Sequence, residues 1–76
     1  MSDWSKFYEV YLPMKKFYGL RLTSHESSKE CCIKITQGGK EIIKCEGEES
    51  DVVIANATRE LEYWEHRRKR ASVSQI

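Results

Sequence analysis

Cysteines and histidines are the residues of this chain that could act as nucleophiles, bases or metal ligands. The cysteines are Cys31, Cys32 and Cys45, and the imidazoles are His25 and His66. The odd number of cysteines and the adjacent pair speak against a disulfide framework. No C-x-x-C spacing occurs, so zinc would lack its usual ligand pattern. We therefore expect the cysteines to be small apolar or half-buried strand residues, and we expect the protein to use no metal and no cofactor.

A Cys–His pair is the only catalytic combination that the sequence offers. Such a nucleophile needs a base that is held by a third group inside a pocket. His25 lies in the polar segment 24–29, SHESSK, which predicts a solvated loop. A chain of 76 residues also leaves little room for an enclosed site. We expect a protein that is not an enzyme.

Composition narrows the remaining classes of function. One third of the residues are charged, yet the net charge is only +1. This balance argues against a strongly basic nucleic-acid protein and against an acidic DNA mimic. No apolar run is long enough for a membrane span or a signal-peptide core. The expected location is cytoplasmic.

The segment 50–70, SDVVIANATRELEYWEHRRKR, predicts the clearest element, an amphipathic helix. Ser50 can cap its first turn, and acidic residues lie at its start while basic residues lie at its end. At about 100° per residue, one arc of the helix is apolar. That arc contains Val53, Ile54, Ala57, Leu61 and Trp64. It must pack on another element, and a sheet is the natural partner.

The first third of the chain can be interpreted in two ways. Segments 7–12 (FYEVYL) and 17–23 (FYGLRLT) are rich in aromatic and β-branched residues, and they alternate consistently as a hairpin. A short helix that starts at Asp3 is the rival, because Trp4, Phe7, Tyr8 and Tyr11 are also spaced for one. Pro13 would end either element. The matching alternation favours two strands.

Segments 30–36 (ECCIKIT) and 41–46 (EIIKCE) predict a second hairpin around Gly38 and Gly39. A two-residue Gly-Gly turn would mix apolar and polar residues on each face. A three-residue loop, 38–40, instead places Ile35 opposite Ile43 and Ile33 opposite Cys45. We therefore predict the three-residue loop.

The resulting fold class is α+β: a four-stranded antiparallel sheet of two hairpins, with one C-terminal amphipathic helix packed on one face. Residues 1–70 form a single domain, and residues 71–76 form a flexible tail. The predicted core consists of Tyr8, Val10, Leu12, Tyr18, Leu20, Leu22, Ile33, Ile35, Ile43, Val53, Ile54, Leu61 and Trp64.

The back half, strand–GGK–strand–G-x-x-S–helix, resembles in outline the second half of a double-stranded-RNA-binding domain. In that family, lysines at the start of the helix grip phosphates across the RNA major groove. This chain has Glu48, Glu49, Ser50 and Asp51 at that place, and such acids repel phosphate. The front half is predicted as strands, where the family has a helix. The resemblance is one of topology, and no RNA-binding role follows from it.

Two surfaces are candidates for binding. The first is the sheet face away from the helix, where exposed aromatic and apolar groups among charges are typical of a protein interface. Aromatic rings between cations also suit single-stranded nucleic acid. The predicted contact residues on this face are Phe7, Tyr11, Arg21, Lys34, Ile42 and Lys44. In the competing interpretation, Phe7 and Tyr11 turn inward on a short helix, and the rest of the face is ordinary solvated sheet.

The second candidate is a basic patch of Arg67, Arg68, Lys69 and Arg70. It could hold phosphates or an acidic partner. Compensation of the helix dipole alone also predicts cations at a helix C-terminus.

These observations favour a small non-enzymatic regulator or inhibitor that covers a surface of a larger protein. Proteins of this size and style are common among accessory proteins of phages and mobile elements, including inhibitors of host defence. The alternative is a nucleic-acid-binding module that uses the basic helix end and the aromatic and basic sheet face. A homodimer is compatible with either, and no membrane contact is expected.

Overall fold

The computed structural model describes the backbone of residues 4–74 and the side chains of residues 4–69. Its elements, in chain order, are α1 (Ser5–Tyr18), β1 (Leu20–Glu26), β2 (Cys31–Gln37), β3 (Lys40–Gly47) and α2 (Ser50–Ser74). The strands form an antiparallel sheet in the order β1-β2-β3. The α+β class holds, but the predicted four-stranded sheet with one helix is wrong, because the described part has three strands and two helices.

Helix α1 replaces the predicted first strand and the start of the second. Its buried face is formed by Phe7, Tyr11 and Met14, which follow each other at helical spacing. The alternation that favoured a strand used Tyr8 and Leu12 instead, and both of these side chains are exposed. Burial of the larger aromatic set therefore decides in favour of the helix.

Pro13 lies inside α1 and does not end it. Proline has no N–H to donate to the carbonyl of Glu9, so the helix loses one hydrogen bond at an exposed position. The helix ends at Gly19, whose φ of 70° is left-handed and whose N–H donates to the carbonyl of Lys15 at 2.9 Å. A glycine adopts this conformation without steric cost, which is why the chain turns into β1 here.

The turn between β2 and β3 has two residues and not the predicted three. Gly38 and Gly39 both have positive φ, of 58° and 83°, as the tight hairpin turn requires. The predicted pairs Ile35–Ile43 and Ile33–Cys45 are nevertheless confirmed. The shorter turn is compatible with these pairs because the register shifts beside Ile35, where a β-bulge accommodates the extra residue, Ile42.

Strand β1 extends through Glu26, so His25 lies in a strand and not in a loop. The connection to β2 is tightened by Ser27, whose Oγ accepts hydrogen bonds from the backbone N–H groups of Lys29 (3.3 Å) and Glu30 (3.1 Å). This is the local bonding that makes serine common in turns.

Both helices pack on the same face of the sheet. Helix α2 begins at Ser50, as predicted, and continues to Ser74, four residues past the predicted end. The core joins residues of α1 and of α2 to the inner side chains of the strands. It consists of Phe7, Tyr11, Met14, Leu20, Cys31, Ile33, Ile35, Ile43, Val53, Ile54, Ala57 and Leu61. Thr58 is the one buried polar side chain among the described residues, and its Oγ1 donates a hydrogen bond to the carbonyl of Ile54 at 2.8 Å.

Candidate interaction surface

Phe7 and Tyr11, the predicted aromatic contacts of the outer sheet face, lie in the core. Their side chains are 0% and 3% exposed, and their rings stack with centroids 5.5 Å apart. The prediction that they are exposed on the sheet is wrong, because these residues are on a helix that packs against the opposite face. Burial also raises the pKa of the Tyr11 hydroxyl, and the nearby Tyr8 adds to this effect.

The outer sheet face carries Arg21, Thr23, Lys34, Lys44 and the other outward strand residues, and apart from Cys32 it is polar. Thr23 pairs with Lys34, and Lys34 pairs with Lys44, so two cations lie directly opposite each other. Like charges in this position are unfavourable by a few tenths of a kcal/mol. No ion pair within the described residues relieves them.

Ile42 was predicted on that outer face, but it is the bulge residue. Its side chain is half-buried and packs against the core cluster. The outer face consequently lacks all three of the apolar contacts that were predicted for it. Its cations remain candidates for contact with an acidic group, but the composition of a protein interface is missing.

His25, Cys32 and Glu46 form a row across the three strands on the outer face. His25 and Cys32 are directly opposite each other, yet no hydrogen bond joins them in the described part. The described residues contain no group of three ligands arranged to hold a metal ion. Nothing in this arrangement supplies the pocket or the third group that a catalytic cysteine needs.

The other two cysteines face the core. Burial raises the pKa of the Cys31 thiol, while a hydrogen bond with Ser50 acts in the opposite direction. Burial likewise raises the pKa of the Cys45 thiol, with the negative charge of Glu60 adding to it. All three cysteines are free. The two inner thiols are therefore poor nucleophiles at neutral pH.

A different surface combines aromatic and basic groups at the end of α1 and along the second half of α2. We call it the aromatic–basic end and define it by Phe17, Tyr18, Trp64, Arg67 and Arg68. The Phe17 ring meets Tyr18 edge-on at 4.9 Å between centroids, and Tyr18 meets Trp64 in the same way at 5.1 Å. The Phe17 side chain is 82% exposed, more than any other large hydrophobic residue described.

The arginines of this surface lie over aromatic rings. Arg68 Cζ is 4.9 Å from the Trp64 centroid and 5.7 Å from the Tyr18 centroid, while Arg67 Cζ is 5.7 Å from the centroid of Tyr63. Each such contact contributes about 0.5–1 kcal/mol at an exposed site. These contacts restrict the positions of the Arg67 and Arg68 guanidinium groups.

Helix α1 supplies Phe17 and Tyr18 of this surface, and helix α2 supplies Trp64, Arg67 and Arg68. The Gln37 side chain donates from Nε2 to the carbonyl of Tyr18 at 3.1 Å, which fixes the end of α1 to the end of β2. Because Tyr18 contacts Trp64, the two helices meet here. At the other end of α1, Lys6 lines a groove with Ile54 and Thr58 of α2. The helices therefore run side by side in the same direction.

Dipole compensation does not account for the basic run of α2. The helix continues to Ser74, and its last turn contains no basic residue. Since the dipole effect is confined to the terminal turn, Arg67, Arg68 and Lys69 lie too far inside the helix to serve it. Lys69 is 3.8 Å from Glu65, an exposed i,i+4 pair. The side chain of Arg70 lies outside the described residues.

An open groove with a volume of about 490 Å³ lies along the first half of α2. It is lined by Lys6, Asp51, Ile54, Ala55, Thr58, Arg59 and Glu62. This lining includes no cysteine or histidine, so it does not join the candidate nucleophiles to a cavity. In the same described part, no helix is both long and apolar enough to cross a membrane.

Part of the aromatic–basic end could have been found from the sequence. The pairs Phe17-Tyr18 and Tyr63-Trp64 each lie close to basic residues, namely Lys15 and the run that starts at His66. Assigning residues 17–23 to a strand put Tyr18 in the core and hid the relation between the two pairs. Only their meeting at the end of α1 makes one surface of them.

The front-half helix removes one difference from the double-stranded-RNA-binding outline. The other remains, because Glu48, Glu49 and Asp51 are exposed at the start of α2. Their negative charges oppose the phosphate contact that the family makes there. No protein family, curated protein or solved structure shows a significant match to this chain, so its interpretation rests on its own geometry.

Proposed function

We propose that this protein is a small non-enzymatic regulator or inhibitor, which acts by covering a surface of a larger protein with its aromatic–basic end. The observation that carries the proposal is an exposed Phe17 ring that contacts Tyr18, which in turn packs against Trp64 and lies under the Arg68 guanidinium. Tryptophan, tyrosine and arginine are the residues most enriched where interface energy concentrates.

Pre-organisation supports the same proposal. Ordering a free side chain on binding costs about 0.5–1.5 kcal/mol. Tyr18 and Trp64 are half-buried and hold each other edge-on, and Arg68 lies across both rings. A partner that contacts this surface meets groups whose positions are already restricted. More of the contact energy then appears as affinity.

A cytoplasmic setting belongs to the same proposal. Three free cysteines, of which Cys31 and Cys45 point into the core, suit a compartment in which thiols stay reduced.

Nucleic-acid binding is the second candidate. Phe17 and Tyr63 are exposed rings, and the Arg67 guanidinium lies over Tyr63, a combination on which unpaired bases can stack. This candidate predicts an affinity that falls steeply with salt concentration. It is less favoured, because Tyr18 and Trp64 already pack against each other and against Arg68.

Capture from an extract of the source cells tests the proposal. We expect a protein to be retained by the immobilised wild-type chain and lost with the double variant Phe17→Ala, Arg67→Ala. The matched control is Thr23→Ala, Lys34→Ala, which also removes one uncharged side chain and one cation, but from the outer sheet face.

The control should retain the same protein. Loss with the control and retention with the Phe17 and Arg67 variant would place the contact on the outer sheet face and overturn the proposal. Capture that disappears after nuclease treatment would favour the second candidate.

A further inference from the structure

Charge is distributed unevenly along the molecule. Lys15 and Lys16 lie in the last turn of α1, and Lys40 pairs with Gln37 at the β2–β3 turn. Gln37 hydrogen-bonds the end of α1, so these lysines lie at the same end of the fold as the aromatic–basic end. This end also carries acids: Glu65 pairs with Lys69, Glu41 lies beside the β2–β3 turn, and Glu62 lies two residues before Trp64 on α2.

Acidic residues collect at the opposite end. The register pairs Glu26 with Cys31 and Cys31 with Gly47, which brings the β1–β2 turn next to the β3–α2 junction. This end has two cations, Lys29 in the β1–β2 turn and Lys6, which shares a groove with Asp51. They are outnumbered by six acids: Glu26, Glu30, Glu46, Glu48, Glu49 and Asp51. Although the net charge of the chain is near zero, the fold therefore has a basic end and an acidic end.

The parallel helices explain part of this polarity. Acids at the start of α2 and lysines at the end of α1 each compensate a helix dipole. The basic run of α2 is left over, because it lies inside the helix and not in its last turn. Arg67, Arg68 and Lys69 thus add positive charge at this end beyond what the helix dipoles call for.

We infer that the surface covered by the aromatic–basic end is an acidic protein surface with an apolar depression that receives Phe17. This inference rests on the proposed function and names the chemistry of its partner. Complementary charge favours docking through this end, and the acidic end disfavours the reverse orientation. Such complementarity acts mainly on the association rate and on the choice of partner.

A polyphosphate fits this surface less well than carboxylates beside an apolar pocket. Arg68 lies over two rings, Arg67 lies over Tyr63, and Lys69 is paired with Glu65. These partly engaged cations favour short-range contacts of defined direction over a continuous track for phosphates. The exposed Phe17 adds an apolar group that a phosphate backbone would not cover.

The test uses the whole chain and a fluorescent poly-L-glutamate of about 20 residues, with the oligonucleotide dT20 as a probe of similar charge. Binding is measured by anisotropy at 20 and 150 mM salt. We expect wild-type protein to bind polyglutamate at low salt, and the reversal Lys16→Glu, Arg67→Glu to weaken binding about tenfold or more. The variant Lys34→Glu, Lys44→Glu changes the net charge equally on the outer sheet face and should weaken it much less.

Three results would overturn the inference: no polyglutamate binding at 20 mM salt, equal losses for the two reversals, or tighter binding of dT20 than of polyglutamate. Sedimentation of the wild-type chain alone adds a fourth. Self-association that is abolished by Lys16→Glu, Arg67→Glu would assign the surface to the acidic end of a second copy.

The proposed function fails separately from this inference. Suppose that a captured protein is lost with Phe17→Ala, Arg67→Ala but is retained equally by both charge-reversal variants. The covering function would then stand, and the acidic character of the partner would be rejected.

Discussion

Phe7 and Phe17 lie ten residues apart on α1 and have opposite surroundings. Phe7 is 0% exposed and contacts the rings of Trp4, Tyr8 and Tyr11, whereas Phe17 is 82% exposed. One side chain therefore supports the fold, and the other is available to a partner. The same residue type has two environments because the helix turns one position inward and the other outward.

Alanine substitution should separate these roles. Phe7→Ala should lower the free energy of unfolding by about 3–5 kcal/mol, since it leaves a cavity in the core. Phe17→Ala should change it by no more than about 0.5 kcal/mol. Urea denaturation of both variants measures the difference. Equal destabilisation by the two substitutions would contradict the exposure of Phe17.

The buried thiols predict a loss of stability at high pH. The folded chain holds Cys31 and Cys45 with raised pKa values, whereas the unfolded chain ionises its thiols near the ordinary pKa of 9.0. Above that pH the unfolded state releases protons that the folded state retains, so the free energy of unfolding falls. Near pH 7 both states are protonated and the contribution is fully present.

Denaturation at pH 7, 8.5 and 10 checks this pH dependence. The double variant Cys31→Ala, Cys45→Ala is the control, and its stability should fall less between pH 8.5 and 10, although it starts from a lower value. A decline of the same size in the control would assign the pH dependence to other groups. Tyr11, whose pKa is also raised, would be the first of these.

At the scale of elements, α1 shows where the sequence was ambiguous. Residues 4–12 satisfy both the two-residue and the helical period, because aromatic side chains occupy positions of each. The strand pattern would bury Tyr8 and Leu12, and the helix buries Phe7 and Tyr11. Only the packing of α1 against α2 and the sheet decides between them, and that information is not local.

The back half was predictable because its local signals agree. The apolar alternation of β2 and β3 gave the correct pairing, and Ser50 gave the start of α2. The predicted three-residue turn was wrong, because the prediction assumed a regular ladder and did not consider a bulge at Ile42. The aromatic–basic end could not be predicted in full, because it requires the position of α1.

Pro13 gives a prediction that belongs to α1. Replacement by alanine restores an N–H that can bond to the carbonyl of Glu9 and removes the clash of the ring. The unfolded chain gains some freedom, which offsets part of the effect. We expect Pro13→Ala to raise the free energy of unfolding by about 2 kcal/mol.

Thermal and urea denaturation of Pro13→Ala measure this gain, with Lys15→Ala as a neighbouring exposed control. The control should stay within about 0.5 kcal/mol of wild type. A destabilised Pro13→Ala variant with unchanged Lys15→Ala would contradict the continuous helix from Ser5 to Tyr18.

At the scale of the whole molecule, the two helices cover one sheet face and leave the other polar and open. The aromatic–basic end lies where the end of α1 meets the second half of α2. Contact through this end leaves the outer sheet face uncovered. The molecule would then bind its partner through the aromatic–basic end and not through the outer sheet face.

Site-specific photo-crosslinking tests this account most directly. Benzoylphenylalanine is placed at Phe17 in one variant and at Thr23 on the outer sheet face in another, and each is irradiated in an extract of the source cells. We predict a protein adduct from position 17 that survives nuclease treatment, and none from position 23. An adduct from position 23 alone, or one from position 17 that nuclease removes, would contradict the aromatic–basic end as a protein-binding surface.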